Sequence, residues 1–411
     1  MKPELLLPAG SIEKMNYAIE YGADAVYFGL VDFSLRTMRK GEIITYNNLK
    51  QAVNLARSKG AKAYMTINIF AFNSDIKNLE AEIDKISDAN PDAIILSDFG
   101  VYNIVKKYMP KIPIHISTQT NILNYEAVKF WHDLGAARCI LARELPIKDV
   151  AEIKNKVPDI ELEVFVHGAQ CVSFSGRCLL SDYMTKGERK ANQGGCSQPC
   201  RWSYKLLEET RPNEYYEIEQ NERGTHILSP KDLALIDYIP QLINAGVDSF
   251  KIEGRTKSLY YVSACARAYR VAIDDYVNNH KKSFNYMEEL EKIGNRGYTQ
   301  GFYLGDNNSD SYSYDISKGL AGADFLAIVI GKENNFYKLK IKNKINLNDD
   351  IEIITPKKTL QTKVTKILDK NNESTDVANT NDEVYVLFEN NNFDYKYALV
   401  RTIGIKNKRC L

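Results

Sequence analysis

The sequence predicts an α/β protein: a TIM-type (β/α)8 barrel with a cysteine-bearing insertion between strands seven and eight, followed by a small all-β barrel domain. Three observations predict it. Short apolar stretches alternate with amphipathic helical patterns eight times over about 270 residues. Those stretches are apolar on both faces, as parallel strands covered by helices must be. From about residue 320 the pattern changes to short strands separated by turn residues. A doubly wound open sheet is the alternative arrangement of the same alternation.

The elements follow in order. ELLLPAG (4–10) is a strand ending in a Pro-Gly turn, and Ser11 caps a helix with apolar residues at 12, 15, 18 and 19. Gly22 ends that helix and DAVYFGL begins the second strand. KAYMTINIF (62–70), DAIILSD (92–98), IPIHIST (112–118), RCILA (138–142) and LEVFVHG (162–168) continue the series, and DSFKIEGR (248–255) is its eighth member. The regularity breaks between the last two, where residues 168–225 form an insertion on the seventh βα loop. ILSPKDLALIDYIPQLINAG (227–246) supplies a short strand and the helix before strand eight. Residues 1–280 are thus the barrel, 281–319 a helical, Gly-rich connection, and 320–411 the β domain, with turns at ENN, NLNDD and DKNNEST.

Composition narrows the class. The chain has 411 residues, 44% hydrophobic and 26% charged, with a net charge of +1. It holds a sizeable core and is no strongly basic nucleic-acid binder, although a local basic patch is compatible with that sum. The opening MKPELLLPAGS has three leucines before Pro8, which reads as a buried strand and not as a leader. No apolar run approaches the roughly 18 residues of a membrane helix. The expectation is a cytoplasmic protein with reduced thiols and no membrane contact, in which clustered cysteines hold a metal.

Four of the seven cysteines fall in one window of 30 residues: Cys171, Cys178, Cys196 and Cys200. Such thiolates suit tetrahedral zinc or an iron–sulfur cluster. Structural zinc favours tight C-x2-C knuckles, which are absent. The wider spacing suits a [4Fe–4S] cubane, with zinc the second choice. Gly194-Gly195 and Pro199 let the backbone approach the sulfurs closely. Cys139 and Cys265 read as core residues, and Cys410 has no partner motif.

The stretch EVFVHGAQCVSFSGRCLLS resembles the signature of the collagenase-like peptidase family, on Glu163, Phe165, Gly168, Ala169, Cys171, Gly176, Cys178, Leu180 and Ser181. Gln170 departs from it, standing where the family has an aliphatic residue. The resemblance extends through LLLPAG, DAVYFG, HISTQTN, GGCSQPCRW, ILSPKDL, FKIEGR and NRGYTQGF, nearly the whole chain. Better-understood members hydroxylate RNA or ubiquinone precursors. The arrangement with GGCSQPCRW and a C-terminal β domain is similar to the branch that hydroxylates tRNA. The resemblance implies 5-hydroxyuridine formation at the wobble position, prephenate as cosubstrate, a [4Fe–4S] cluster, tRNA as partner and a second family member as a further candidate partner.

Polar residues at strand ends supply the candidate site, because active sites of (β/α)8 barrels lie at that face. His167, Glu253 and Arg255 are the catalytic candidates. Arg36, Asn68, Thr118, Arg143 and Lys231 are the substrate-binding candidates. Arginines at such positions can pair bidentately with a carboxylate, and prephenate, a dicarboxylate, needs two such partners. Each also has a structural reading: Arg143 with Glu144, or Glu253 with Arg255, as ion pairs, and His167 as a hydrogen-bonded core residue. Neither a Ser-His-Asp arrangement nor HExxH is present, so a peptidase activity has no motif behind it. A hydrolase and a cluster-bearing scaffold without catalysis are the competing readings.

Overall fold

A computed structural model of the chain describes residues 2–30, 32–35, 43–174, 178–186, 188, 196–201, 220–221, 224–225, 230–305, 311 and 320–404. The first strands and helices alternate as β1 (Glu4–Pro8), α1 (Ile12–Glu20), β2 (Ala25–Gly29), α2 (Leu49–Ser58), β3 (Lys62–Ile67), α3 (Asn73–Ala89), β4 (Ala93–Leu96) and α4 (Phe99–Tyr108). The series continues with β5 (Ile114–Ile116), α5 (Tyr125–Asp133), β6 (Arg138–Ile140), α6 (Ile147–Lys156) and β7 (Glu161–Ala169). Within the insertion lie α7 (Leu180–Met184) and a hairpin of the two-residue strands β8 (Gln220–Asn221) and β9 (Gly224–Thr225); after it come β10 (Asp232–Ala234), α8 (Ile239–Asn244), β11 (Ser249–Ile252) and α9 (Leu259–Val277).

Strands β1 to β7 pair in parallel with their sequence neighbours, and β11 pairs in parallel with both β1 and β7. The sheet therefore closes into an eight-stranded barrel, and an open doubly wound sheet is excluded. Local chemistry sets the helix starts: the side chains of Ser11, Asp98, Asn124 and Ser258 each accept a backbone N–H of the first turn. The apolar stripes of α1 and α2 then cover the sheet, with Met15, Ala18, Ala52, Val53 and Ala56 fully buried.

The barrel is not sealed by hydrocarbon alone. Its lower interior holds Glu163, fully buried between Lys251 (2.7 Å) and Arg138 (2.8 Å), and Arg138 also reaches Glu4 at 2.6 Å and Glu161 at 2.6 Å. A charge taken this far from water persists only when paired. Burial raises the Glu4 carboxyl, but Arg138, Tyr64 and Lys62 outweigh it and hold the group below its usual value.

The short strand expected at the start of ILSPKDL, at 227, falls outside the described residues, and the strand found here, β10, begins later, at Asp232. It runs antiparallel to the end of β7, and β12 (Tyr298–Thr299), which follows α10 (Tyr286–Glu291), pairs parallel to β10. ILSPKDL and NRGYTQGF, distant in sequence, thereby extend the sheet beside the cysteine insertion. Arg296 pairs with Asp232 at 3.0 Å across that extension.

The β domain comprises β13 (Phe325–Glu333), β14 (Phe336–Ile341), β15 (Ile345–Asn346), β16 (Asp350–Ile354), β17 (Thr359–Leu368), β18 (Ser374–Thr375), β19 (Val377–Ala378), β20 (Glu383–Phe388) and β21 (Leu399–Thr402). Six antiparallel strands in the order β16-β21-β13-β14-β20-β17 close through β16–β17 into a small barrel. It docks on the barrel helices through buried polar contacts. The Tyr21 hydroxyl donates to the carbonyls of Ile354 and Tyr397 (3.0 and 2.8 Å), and Arg401 reaches Glu289 and Glu352. Among the described residues no helix is long and apolar enough to cross a membrane.

Candidate active site

The strands bring five of the candidate residues to one cavity at the C-terminal mouth of the barrel: Asn68, Thr118, Arg143, Glu253 and Arg255. Tyr27, Thr66, Phe165 and Lys251 are among the other lining groups.

Arg255 follows β11 directly and is buried. Its guanidinium donates to the Ser34 hydroxyl, to the Leu35 carbonyl and to Thr66 Oγ1 at 3.2 Å. Asn68 Oδ1 accepts the Leu35 N–H at 3.1 Å, and Ser34 and Thr66 share a 2.7 Å hydroxyl contact. The loop after β2 is thus tied across the mouth. Arg36, the next residue, lies outside the described residues. Arg143, half-buried, donates to the Ala169 carbonyl at 2.8 Å and stacks 4.0 Å over the Phe165 ring.

These two guanidinia differ from the paired charges lower in the barrel. Neither makes an ion pair with a carboxylate among the described residues, so the ion-pair readings of Arg143 with Glu144 and of Arg255 with Glu253 are not seen. Burial pushes both arginines below their ordinary range; Tyr27 partly offsets this at Arg255, and Tyr303 and the Cys171 thiol at Arg143. Lys251 in the same cavity is held by Glu163. Arg143 and Arg255 thus bring two guanidinium groups to one cavity with no ion pair to a carboxylate among the described residues.

Two candidates stand elsewhere. His167 is not among the lining residues. Along β7, Glu163 and Phe165 face inward, and strict alternation would turn His167 inward too. Lys251 pairs with Phe165, however, and the next residue, Ile252, pairs with His167, so β7 carries one extra residue. This bulge reverses the alternation and turns the imidazole outward. There it packs against Tyr261, Tyr269 and Tyr298, with ring centroids 5.5 to 5.7 Å away. Lys231 is half-buried beside Gly297 and is likewise absent from the lining.

Gly168 explains why the end of β7 tolerates this geometry. It has φ 112°, and an added Cβ would fall 2.5 Å from the Glu253 carbonyl oxygen. Backbone contact there is direct, since the Glu253 N–H donates to the His167 carbonyl at 2.8 Å.

Burial, reinforced by Lys257, holds the His167 imidazole down at about 3. The unfolded chain protonates this group near 6.5, so below that pH the unfolded state binds one more proton. Stability is full above pH 6.5 and falls as pH drops, with this residue contributing up to about 1.4 kcal/mol per pH unit. His167→Gln should remove that slope. Urea unfolding from pH 7 to pH 5 measures it; identical slopes in both proteins would count against a neutral, buried imidazole.

All four clustered cysteines are described, and no disulfide joins them. The sulfurs of Cys171, Cys178 and Cys196 each receive the backbone N–H two residues on, at 3.4, 3.3 and 3.3 Å. Ser181 meets Ser197, hydroxyl to hydroxyl at 3.0 Å and N–H to hydroxyl at 2.8 Å, which joins the Cys178 segment to the Cys196 segment. In kind the donors fit an iron–sulfur cluster, whose thiolates are tuned by such hydrogen bonds. Among the described residues no group of three His, Cys, Asp or Glu side chains stands ready to hold a metal ion. Gln170, the departure noted above, packs against Gly301 of NRGYTQGF, where an added Cβ would lie 2.5 Å from its amide nitrogen.

Comparison with known proteins places this geometry. The model of Peptidase family U32 matches residues 10–313, and that of the Peptidase family U32 C-terminal domain matches residues 322–401. The chain belongs to peptidase family U32. Its U32 relatives carry different names. "tRNA hydroxylation protein P" of Haemophilus influenzae is 37% identical, covering 97% of this chain and 96% of that protein. "tRNA hydroxylation protein P1" of Bacillus subtilis is 38% identical, covering 86% and 84%. "Collagenase" of Porphyromonas gingivalis is 32% identical, covering 86% of each. The U32 matches span both the (β/α)8 barrel and the β domain.

Sequence reasoning missed Lys251, Tyr27, Ser34 and Thr66. Lys251 had a signal, a lone cation inside the apolar strand SFKI. The other three are ordinary residues that gain meaning only through Arg255.

Proposed function

We propose that this protein is a tRNA-modifying enzyme that converts wobble uridine to 5-hydroxyuridine, with a small dicarboxylate, prephenate, as hydroxyl donor. The observation that carries the reading is the pair of arginines, buried Arg255 and half-buried Arg143, lining one mouth cavity with no ion pair to a carboxylate among the described residues. The relatives named for tRNA hydroxylation support the RNA substrate.

In this reading Arg255 and Arg143 each take one carboxylate of the donor. Tyr27 and Phe165 give the donor ring an apolar wall, and the loop at Ser34 and Leu35 excludes water above it. In this reading the donor's C–O bond breaks as the C5–O bond forms, the donor carbon keeps the electron pair and is reduced to C–H, and Glu253 would take the C5 proton and pass it to that carbon, so the exchange balances with the donor as oxidant. Cys171, Cys178, Cys196 and Cys200 would hold a [4Fe–4S] cluster, which when bound would supply one-electron transfer.

Two measurements test this. Nucleosides from tRNA of a deletion strain should lack 5-hydroxyuridine and regain it on complementation; unchanged nucleosides would overturn the assignment. Protein purified without oxygen should be brown, with about four irons per chain. Serine at any one of the four cysteines should bleach it. Stoichiometric zinc in place of iron would refute the cluster while leaving the tRNA assignment standing.

A further inference from the structure

Outside the mouth, the described residues enclose a second polar cavity of about 600 Å³, between the barrel helices α9 and α10 and the strands β16, β17 and β21 of the β domain. Its charges sort into two groups. Arg401 is saturated: both carboxylate oxygens of Glu289 take its NH1 and NH2 at 2.9 and 2.7 Å, and Glu352 takes its Nε at 2.7 Å. Lys292 lies 3.3 Å from Glu352 as well. These four groups largely neutralise one another.

The second group is not neutralised. Arg267 is 8% exposed; it donates to Thr359 Oγ1 at 2.6 Å, but its Nε has no hydrogen-bond partner. The nearest carboxylate, Glu289, is 3.8 Å away and already committed to Arg401. Lys357 and Lys358 stand on the turn joining β16 to β17 at the cavity edge. The Lys358 ammonium donates to the Asn392 carbonyl at 3.3 Å, and neither Lys358 nor Lys357 pairs with a charged group among the described residues. Against these three cations the lining offers one further carboxylate, the exposed Glu288.

We infer that this interdomain cavity is an anion site that seats one phosphate group, with Arg267 as its buried donor and Lys357 and Lys358 as its rim. A buried guanidinium with a spare N–H is unfavourable by itself and is satisfied by a multivalent oxyanion, which accepts several charged hydrogen bonds at once. Phosphate could arrive free or as a backbone diester of RNA. The second source rests on the tRNA reading above, whereas the site itself does not.

The test uses the full chain in buffer free of phosphate and sulfate. Calorimetric titration with inorganic phosphate should show binding that Lys357→Glu and Arg267→Gln each weaken about tenfold or more. Should Arg267→Gln fail to fold, Lys357→Glu, on an exposed turn, decides alone. In parallel, tRNA affinity is measured against salt. A slope reduced by about one in Lys357→Glu identifies a backbone phosphate as occupant. An unchanged slope with lost phosphate binding identifies a free phosphate. Phosphate binding equal in all three proteins, or no phosphate binding together with an unchanged tRNA slope, overturns the site. Because none of these readouts is hydroxylation, a chain that binds phosphate but leaves uridine unmodified would refute only the proposed activity.

Discussion

Arg255→Lys should lower 5-hydroxyuridine in tRNA by roughly 30-fold to several-thousand-fold per folded molecule, the effect of losing about 2 to 5 kcal/mol from one desolvated charged pair. The planar guanidinium of Arg255 now spans Ser34, Thr66 and the Leu35 carbonyl while facing the cavity. An ammonium offers one point charge and cannot hold that fork and a carboxylate together. Two roles are entangled, fastening the loop and binding the substrate, and they separate by measurement. If Arg255 only fastens the loop after β2, the lysine variant melts earlier and its folded fraction hydroxylates at the wild-type rate. If it also binds the donor, the loss is overcome by raising prephenate in vitro. Wild-type hydroxylation per soluble molecule from Arg255→Lys would defeat the carboxylate-clamp assignment.

Arg401→Ala should destabilise the junction of the two domains by about 3 to 5 kcal/mol, because removing one partner of a buried ionic group strands the others. Arg401 is fully buried and holds Glu289 of α10 and Glu352 of β16 with three charged hydrogen bonds, and its NH1 also reaches the Tyr260 hydroxyl at 3.1 Å. Burial raises the Glu352 carboxyl while Arg401 and Lys292 overcome that and hold it below its usual 4.5. Its stabilising effect is therefore present above pH 4.5 and lost as pH falls below it. Denaturant unfolding of wild type and Arg401→Ala at neutral pH gives the loss directly. Arg401→Met combined with Glu289→Gln should recover part of it, since Glu352 keeps Lys292 as its partner. A loss under about 1 kcal/mol in the single variant would show that water, and not Arg401, satisfies the two carboxylates.

The elements of both barrels were legible in the sequence because their signals are local. Strand and helix are written in apolar period, and their boundaries in Ser11, Gly22, Asp98 and Ser258. Eight β/α units in sequence favoured a closed barrel over an open sheet, and the pairing of β11 with both β1 and β7 decided it. The cavity residues Asn68, Thr118, Arg143, Glu253 and Arg255 were readable as strand-end polar residues for the same reason: a parallel barrel delivers every such end to one face.

What the sequence by itself determined, then, is the architecture, the family and the set of residues available at the mouth. Tertiary structure alone decided how those residues are used. The orientation of His167 depends on one extra residue in β7, fixed by its register against β11, about 85 residues away. The pairing of Glu163 with Lys251 and Arg138, and of Arg401 with Glu289 and Glu352, joins segments remote in the chain, so no local pattern announces which charges are neutralised and which are left facing a cavity. That distinction is physical rather than compositional. A buried charge is defined by its partners, and partners are assigned only when the chain closes.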